Sequence, residues 1–284
     1  VPVSKTIIGG EQTVQTFGGY LPEYERIKPK RIKAKYRRSS EKLMDTNTLL
    51  EREVAKAQLG EFGLDPSLVL YLPLWKKDGA SFMSEDAYGH LCTRTGALWR
   101  LDGHFFDGSD DYIEVAHHAS QLLTTGGSIA VWIKPSSAGE ASLGRIFDKS
   151  DTNYNLGTNG YAFYTTGTNR TGFAINNGTA RFSAAGSVVF GDGNFYYAVV
   201  TWDATGLVTH YINGIQSGAP ATSSNPVGII TSDPPCIGNL SYDPGARSFD
   251  GMIGEVWVYN RVLTVCEIQR MYLATKWRYS GWTQ

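Results

Sequence analysis

Cysteine is scarce in this chain, and the three that occur, Cys92, Cys236 and Cys266, are scattered and form no CxxC pair. That excludes a disulfide framework and a zinc knuckle. They read as isolated thiols, and the alternative in an oxidising compartment is one bridged pair with one thiol left over. No apolar run approaches the roughly 20 residues needed to cross a bilayer, so no membrane insertion is expected. The opening VPVSKTIIGG has no basic stretch followed by an apolar one. Either a signal peptide has been removed, or the chain reaches its working place by being built into a larger particle. H-E-x-x-H and G-x-S-x-G are absent, and neither Gly9-Gly10 nor Gly126-Gly127 matches a phosphate loop. Zinc-protease, serine-hydrolase and nucleotide chemistry are left without a carrier.

The sequence does have β-structure signals. With 32 Gly against 4 Met, and with Tyr, Thr, Ser and Asn in short alternating runs, turns and strands are favoured over helices. From Leu68 onward, strand-like segments recur about every ten residues between Gly, Asn, Asp and Ser clusters. They are Leu68 to Leu74, Phe105-Phe106, Tyr112 to Val115, Gly127 to Lys134, Gly144 to Phe147, Tyr161 to Thr165, Thr171 to Asn176, Ala180 to Ser183, Phe195 to Trp202, Leu207 to Ile212 and Gly251 to Tyr259. A helix follows over Thr264 to Ala274. Asn213-Gly214 supplies the positive φ angles of a tight turn after the Phe195–Ile212 hairpin. Trp75, Trp99, Trp132, Trp202 and Trp257 lie in or beside apolar strands and are expected in the core. Trp277 and Trp282 belong to an aromatic-cationic tail that either folds back on the sheet or docks on a neighbour.

Charge divides the chain. Residues 1–63 carry 12 Lys+Arg against 8 Asp+Glu, and the remainder carries 14 against 19. The excess of cations concentrates in Arg26, Lys28, Lys30, Arg31, Lys33, Lys35, Arg37 and Arg38, a stretch with too few apolar residues to fold alone. Its alternation with Ile, Ala and Tyr suits strand addition to a partner protein. A nucleic-acid arm, which the reading disfavours, and a solvated linker are the other options. Upstream, residues 6–10 and 14–20 look like Gly-punctuated strand pieces that want a surface to lie on. Downstream, Ser40 to Leu59 reads as a helix with a narrow apolar stripe, ended by Gly60 and Gly63. The expected divisions are an extended basic arm for assembly docking (1–39), a helix or linker (40–63), a jelly roll (64–276) and a C-terminal tail (277–284).

The segments YLPL, DGA, AYGH, FDGSDDYIEV, GGSIAVWIKP, NFYYAVVTWD, HYINGI and FDGMIGEVWVYNRVLTVCEIQRMY occur in an order seen in known proteins. On these residues, Leu68 to about Tyr272 resembles the laminin-G-like and concanavalin-A-like lectin/glucanase modules. The resemblance implies an all-β, two-sheet antiparallel jelly-roll sandwich, with ligands bound on a concave face or at the rim loops. It also implies a structural calcium ion joining the Asp107–Asp111 loop to the strand Met252 to Tyr259. There, similar proteins commonly carry Asp where this chain has Gly254.

Glucanases on this sandwich need two carboxyls about 5–5.5 Å apart. Their E-x-D-x-E pattern is missing, and Glu114 and Glu255 have no second Glu at an even spacing on their own strands. No enzymatic activity is expected, and no cofactor is required. Calcium takes six to eight oxygens, which Asp107, Asp110 and Asp111, or the loops with Asp148, Asp151, Asn153 and Asn155, would supply. The plainer alternative is a set of Asx turns. Of the histidines, His117-His118 is the one tempting pair, and it reads as a solvated loop. Tyr154, Asn155, Asn159, Asn239, Tyr242 and Asp243 have the composition of a glycan site, where aromatic faces stack and amides or carboxylates bind hydroxyls. Sequons at Asn169, Asn177 and Asn239 matter only after secretion. Together these features point to a structural or adhesion protein whose arm fastens it to an assembly, such as the decoration, spike or fibre of a virus particle. Its partners would be that assembly and cell-surface glycans, in an oligomeric or particle-bound state at a virion surface or outside the cell. A free secreted lectin, with or without calcium, is the alternative, and a glucanase the third reading.

Overall fold

The computed structural model describes residues 3–8, 11–16, 65–151, 159–177, 181–222 and 232–279. The cationic residues of the arm, the helix expected at Ser40 to Leu59, and Trp282 lie outside them. The chain divides into two units, Val1–Leu49 and Leu50–Gln284. In the first, β1 (Val3–Ile8) and β2 (Glu11–Thr16) pair antiparallel, with Ile8 opposite Glu11. The two pieces expected to seek a surface thus pair with each other, and only Gly9 and Gly10 separate the last partners, a hairpin-loop length.

The second unit runs through β3 (Leu68–Pro73), β4 (Ser81–Met83), β5 (Leu91–Thr95), β6 (Leu98–Arg100), β7 (Gly103–Asp107), β8 (Tyr112–Val115) and β9 (Gly126–Pro135). It continues with β10 (Arg145–Ser150), β11 (Asn159–Thr165), β12 (Thr171–Asn177), β13 (Arg181–Ala185), β14 (Tyr196–Asp203) and β15 (Leu207–Ile212). The last elements are β16 (Ile215–Gln216), β17 (Ala221–Thr222), β18 (Cys236–Ile237), β19 (Asp250–Tyr259) and a helix, α1 (Val265–Tyr279). One sheet has the order β16-β15-β14-β9-β19-β7-β6, with β3 also on β19 and β17 on β15; the other is β13-β12-β11-β10-β18-β8-β5-β4. The named strands pair antiparallel throughout, which makes the domain a two-sheet sandwich. Asn213 and Gly214 take φ of 53° and 80°, the double left-handed geometry of the expected turn.

The main core lies between the sheets. Ile129, Val131, Ile133, Val200, Trp202, Ile253 and Val256 meet Ile113, Phe147, Tyr161, Phe163, Phe173 and Ile175 there. Trp132 and Trp257, expected in the core, are buried as well, but on the opposite face of the same central strands. Ala130, Trp132, Tyr197, Val199, Trp257 and Tyr259 face outward and are buried in a second core by Leu263, Ile268, Met271 and Tyr279. Both faces of β9, β14 and β19 are therefore apolar, and the helix is what permits it. Trp75 and Trp99 are only half-buried, with Trp99 Nε1 donating to the Trp75 carbonyl at 3.0 Å.

Helix α1 begins at a capping box: Thr264 N donates to Glu267 Oε2 at 2.7 Å, and Glu267 N donates to Thr264 Oγ1 at 3.3 Å. It outlasts the expected end at Ala274, and Lys276 and Arg278 in its last turn complement the helix dipole. The residues expected to open a tail, Trp277 onward, are still helical as far as Tyr279 and fold back on the sheet. Arg278 pairs with the buried Glu255, and its guanidinium lies 3.8 Å from the Trp75 ring centroid and 4.8 Å from that of Trp277. No helix among the described residues is long and apolar enough to cross a membrane.

Candidate functional site

Strand β10 carries a register irregularity between Arg145 and Phe147. A bulge of this kind shifts the in-out parity by one. Ile146 and Phe147 therefore both enter the main core, while Arg145 and Asp148 emerge together on the opposite face. Arg145 Nε donates to Asp148 Oδ2 at 2.8 Å, and both side chains are 0% exposed. Two charges removed from water are costly unless further hydrogen bonds support the pair. Here Asp148 Oδ1 accepts from Ser150 Oγ at 2.5 Å and from Ser241 Oγ at 2.9 Å, while Arg145 Nη1 donates to the Leu143 carbonyl at 3.1 Å. The guanidinium centre also lies 5.0 Å from the Tyr164 ring centroid, and the Tyr164 hydroxyl bonds Ser183 Oγ at 2.6 Å. Ala162, Tyr164 and Ala174 form a small apolar floor beside the pair.

Above this network runs the connection from β18 to β19, anchored by Asn239. Its Oδ1 accepts from Leu240 N at 2.8 Å and Gly245 N at 3.1 Å, and its Nδ2 donates to Ser248 Oγ at 2.9 Å and the Asp111 carbonyl at 3.3 Å. Ser248 Oγ in turn donates to the Ser109 carbonyl. The loop so fixed leaves Tyr242 half-buried and Asp243 exposed. Burial raises the Tyr242 hydroxyl above its ordinary value, Asp148 and Asp243 add to the rise, and Arg145 and Arg247 oppose it. Tyr242 and Asp243 thus stand on a loop tied by the Ser241 hydroxyl to the buried Arg145–Asp148 pair. Such a rim offers an aromatic edge with donors and acceptors in fixed positions, which is what recognition of a polyhydroxyl ligand needs.

Of the residues expected from sequence to bind glycans, Tyr242 and Asp243 come together here. Asn239 is a correction: it is 0% exposed and bonded on both sides of its amide, so it shapes the loop and does not face a ligand. Asn159 lies on β11 opposite Asn177, and Tyr154 and Asn155 are outside the described residues. Asp148, expected among calcium-loop oxygens, is spent on Arg145 and the two serines. Sequence reasoning missed Arg145, Ser241 and Arg247, because nothing in RIFDKS marks where a bulge will fall.

The second polar cluster is Asp107, Asp110 and Asp111, whose candidate ligand oxygens all lie within 4.8 Å of one another. Burial holds the Asp111 carboxyl above its ordinary value, with Asp107 and Asp110 adding to the rise and a bond from Asp107 N opposing it. Hard, closely spaced oxygens fit a calcium ion. The Asx-turn bonds are present as well: Ser109 N donates to Asp107 Oδ1 at 2.9 Å and Asp107 N to Asp111 Oδ2 at 2.9 Å. Opposite Asp107 on β19 stands Asp250. Gly254 lies elsewhere on β19, and a Cβ on it would lie 2.5 Å from the Tyr279 ring.

The remaining chemical candidates separate. Glu114 lies on β8, while Glu255 is buried on β19 and held by Trp75 Nε1 and Arg278. His118 caps a short turn, with its Nδ1 accepting from Ser120 N at 3.1 Å. His117 Nδ1 lies 3.1 Å from Lys149 Nζ, whose ammonium, pushed down by burial to about 8, also donates to the Asp233 carbonyl at 2.7 Å. All three cysteines are free thiols.

A two-sheet sandwich with a fixed rim loop defines a lectin-like jelly roll. Residues 107–269 match the family model of the concanavalin A-like lectin/glucanases superfamily, and the chain belongs to that superfamily. Among solved structures it is similar to the binding domain of botulinum neurotoxin DC in complex with SialylT, with a TM-score of 0.56 and 14% identity over 73% of this chain and 51% of that one. A structure of botulinum neurotoxin type C, described by its interaction with two ganglioside molecules, gives 0.57 and 13% over 75% and 52%. The binding domain of Paraclostridial Mosquitocidal Protein 1 gives 0.56 and 12% over 72% and 52%. The chain thus spans about half of each of these structures. No curated protein matches it.

Proposed function

We propose that this protein is a non-enzymatic adhesion module that binds glycans at the Tyr242–Asp243 rim. The carrying observation is the fully buried Arg145–Asp148 pair under that loop, tied to it by the Ser241 hydroxyl at 2.9 Å. A binding loop fixed before its ligand arrives loses little further freedom on binding. Support comes also from similar structures described with a sialylated ligand and with gangliosides. In this reading the cations from Arg26 to Arg38 fasten the module to a larger assembly, as a decoration or spike of a virus particle, and the jelly roll is displayed outward. The charge division of the sequence is what supports that part. Asp107, Asp110 and Asp111 hold a structural calcium ion, and Asn239 carries its ordering to the rim because it bonds the Asp111 carbonyl.

Glycan-array binding by the whole chain tests the site. Tyr242→Ala and Asp243→Ala are expected to weaken binding by about tenfold or more, the equivalent of about 1.4 kcal/mol. Unchanged binding by both variants would remove the rim from consideration. Chelation is expected to lower the melting temperature and weaken binding together, and indifference to chelator would dismiss the ion. A chain beginning at Leu64 separates the two biological readings. Loss of assembly with sugar binding retained supports the anchoring arm, whereas an arm with no effect on assembly or oligomeric state favours a free lectin.

A further inference from the structure

We infer a second binding site, for an acidic sugar, on the helix-covered sheet. It goes beyond the rim reading, because it is formed by other strands and by α1. Trp132, Phe195, Asn213, Tyr272, Lys276 and Tyr279 line one groove there. Trp132 and Tyr279 form its buried wall, stacked at 4.4 Å between ring centroids. Phe195 and Tyr272 are half-buried, and so present ring surface to a ligand.

Cations and an amide stand at or beside this groove. Lys276 is exposed at its edge, and Lys134 Nζ lies 5.9 Å from the Phe195 ring centroid. Among the described residues neither ammonium pairs with a carboxylate, whereas Lys76, Lys77, Arg145, Arg261 and Arg278 all do. Asn213 is held by the tight turn, with its Oδ1 accepting from Tyr197 N at 2.9 Å, and its carboxamide nitrogen remains as a donor. Two unpaired cations and an amide donor beside open aromatic rings complement an anion carried on a flat, weakly apolar body. A carboxylated or sulfated pyranose has that form. The groove's volume of about 100 Å³ is below the roughly 300–1,000 Å³ of pockets that enclose a drug-sized ligand, so it seats the edge of one terminal sugar.

Titrating the full chain with sialyllactose and with lactose, followed by ligand-observed NMR, tests the inference. The acidic sugar is expected to bind at least about tenfold more tightly than the neutral one, and raising salt from about 50 to about 500 mM to weaken it. Lys276→Glu, on the exposed face of α1, is expected to abolish that preference while lowering the melting temperature by only a few degrees, because the new charge opposes the helix dipole, and Lys134→Ala to reduce it. Asp243→Ala is expected to leave it intact, so failure of the rim reading and failure of this one show up in different variants. Equal affinity for the two sugars, indifference to Lys276→Glu, or loss on Asp243→Ala would overturn the site. So would binding to phosphatidylserine vesicles in place of free sugar.

Discussion

The outward faces of the two sheets are built on opposite terms. On the sheet containing β9, β14 and β19 the outer face is aromatic, and the chain covers it with its own helix. On the sheet containing β10, β11 and β12 the buried outer face carries an ion pair, and a polar loop crosses it. The first face excludes water by apolar area, which is non-directional and tolerant of shape. The second depends on each charged group keeping its partners. A face of the second kind is costlier to disturb by a single atom, and it leaves polar groups at its edge for a ligand.

The largest break in this comparison is expected from the aromatic face. Trp132→Ala removes the ring stacked on Tyr279 and the 2.8 Å bond from its Nε1 to Thr275 Oγ1, at a cost of about 3–5 kcal/mol by denaturant unfolding. On the polar face, Asp148→Asn leaves the Arg145 charge buried without a counter-charge, at about 3 kcal/mol. Replacing both by apolar residues, Arg145→Met with Asp148→Leu, is expected to recover part of that loss, which unfolding of the double variant measures. Gly254→Ala pushes a methyl into the Tyr279 ring and costs about 1–3 kcal/mol. The same crowding predicts that Gly254→Asp creates no calcium affinity, a point calorimetry checks.

Between the two faces, the sandwich interior holds His104 and His210, both pushed down by burial to about 4. The unfolded chain takes up these protons near the ordinary value of 6.5 while the native state resists them, so stability is full above that pH. It is expected to fall as pH drops from 6.5 toward 4, and His210→Phe to flatten the melting-temperature profile in that window. The smallest effect is expected at the rim. Tyr242→Phe and Asp243→Asn should change stability by less than about 0.5 kcal/mol, leaving any loss of glycan binding attributable to the site.

The sandwich was legible because period-two alternation survives in the paired strands Tyr196–Asp203 and Leu207–Ile212, and because Asn213-Gly214 admits few alternatives to a tight turn. The short strands Ser81–Met83, Leu91–Thr95 and Leu98–Arg100 were not legible. Their residues are half-exposed or exposed apart from Cys92, so hydrophobic patterning gives little signal. At the site, Tyr242 and Asp243 could be picked by type. Asn239 was misjudged for the same reason, since an Asn that builds a loop and one that meets a ligand have the same composition.

Sequence by itself determined the long central strands, the hairpin and the presence of the last helix, because these depend on neighbours within a few residues or on simple alternation. Tertiary structure alone decided which face each central tryptophan joins, that the β10 bulge sets Arg145 beside Asp148, and that Gly254 lies under Tyr279. Those outcomes turn on contacts between segments up to more than a hundred residues apart, where one extra residue in a strand reverses the direction of every side chain after it.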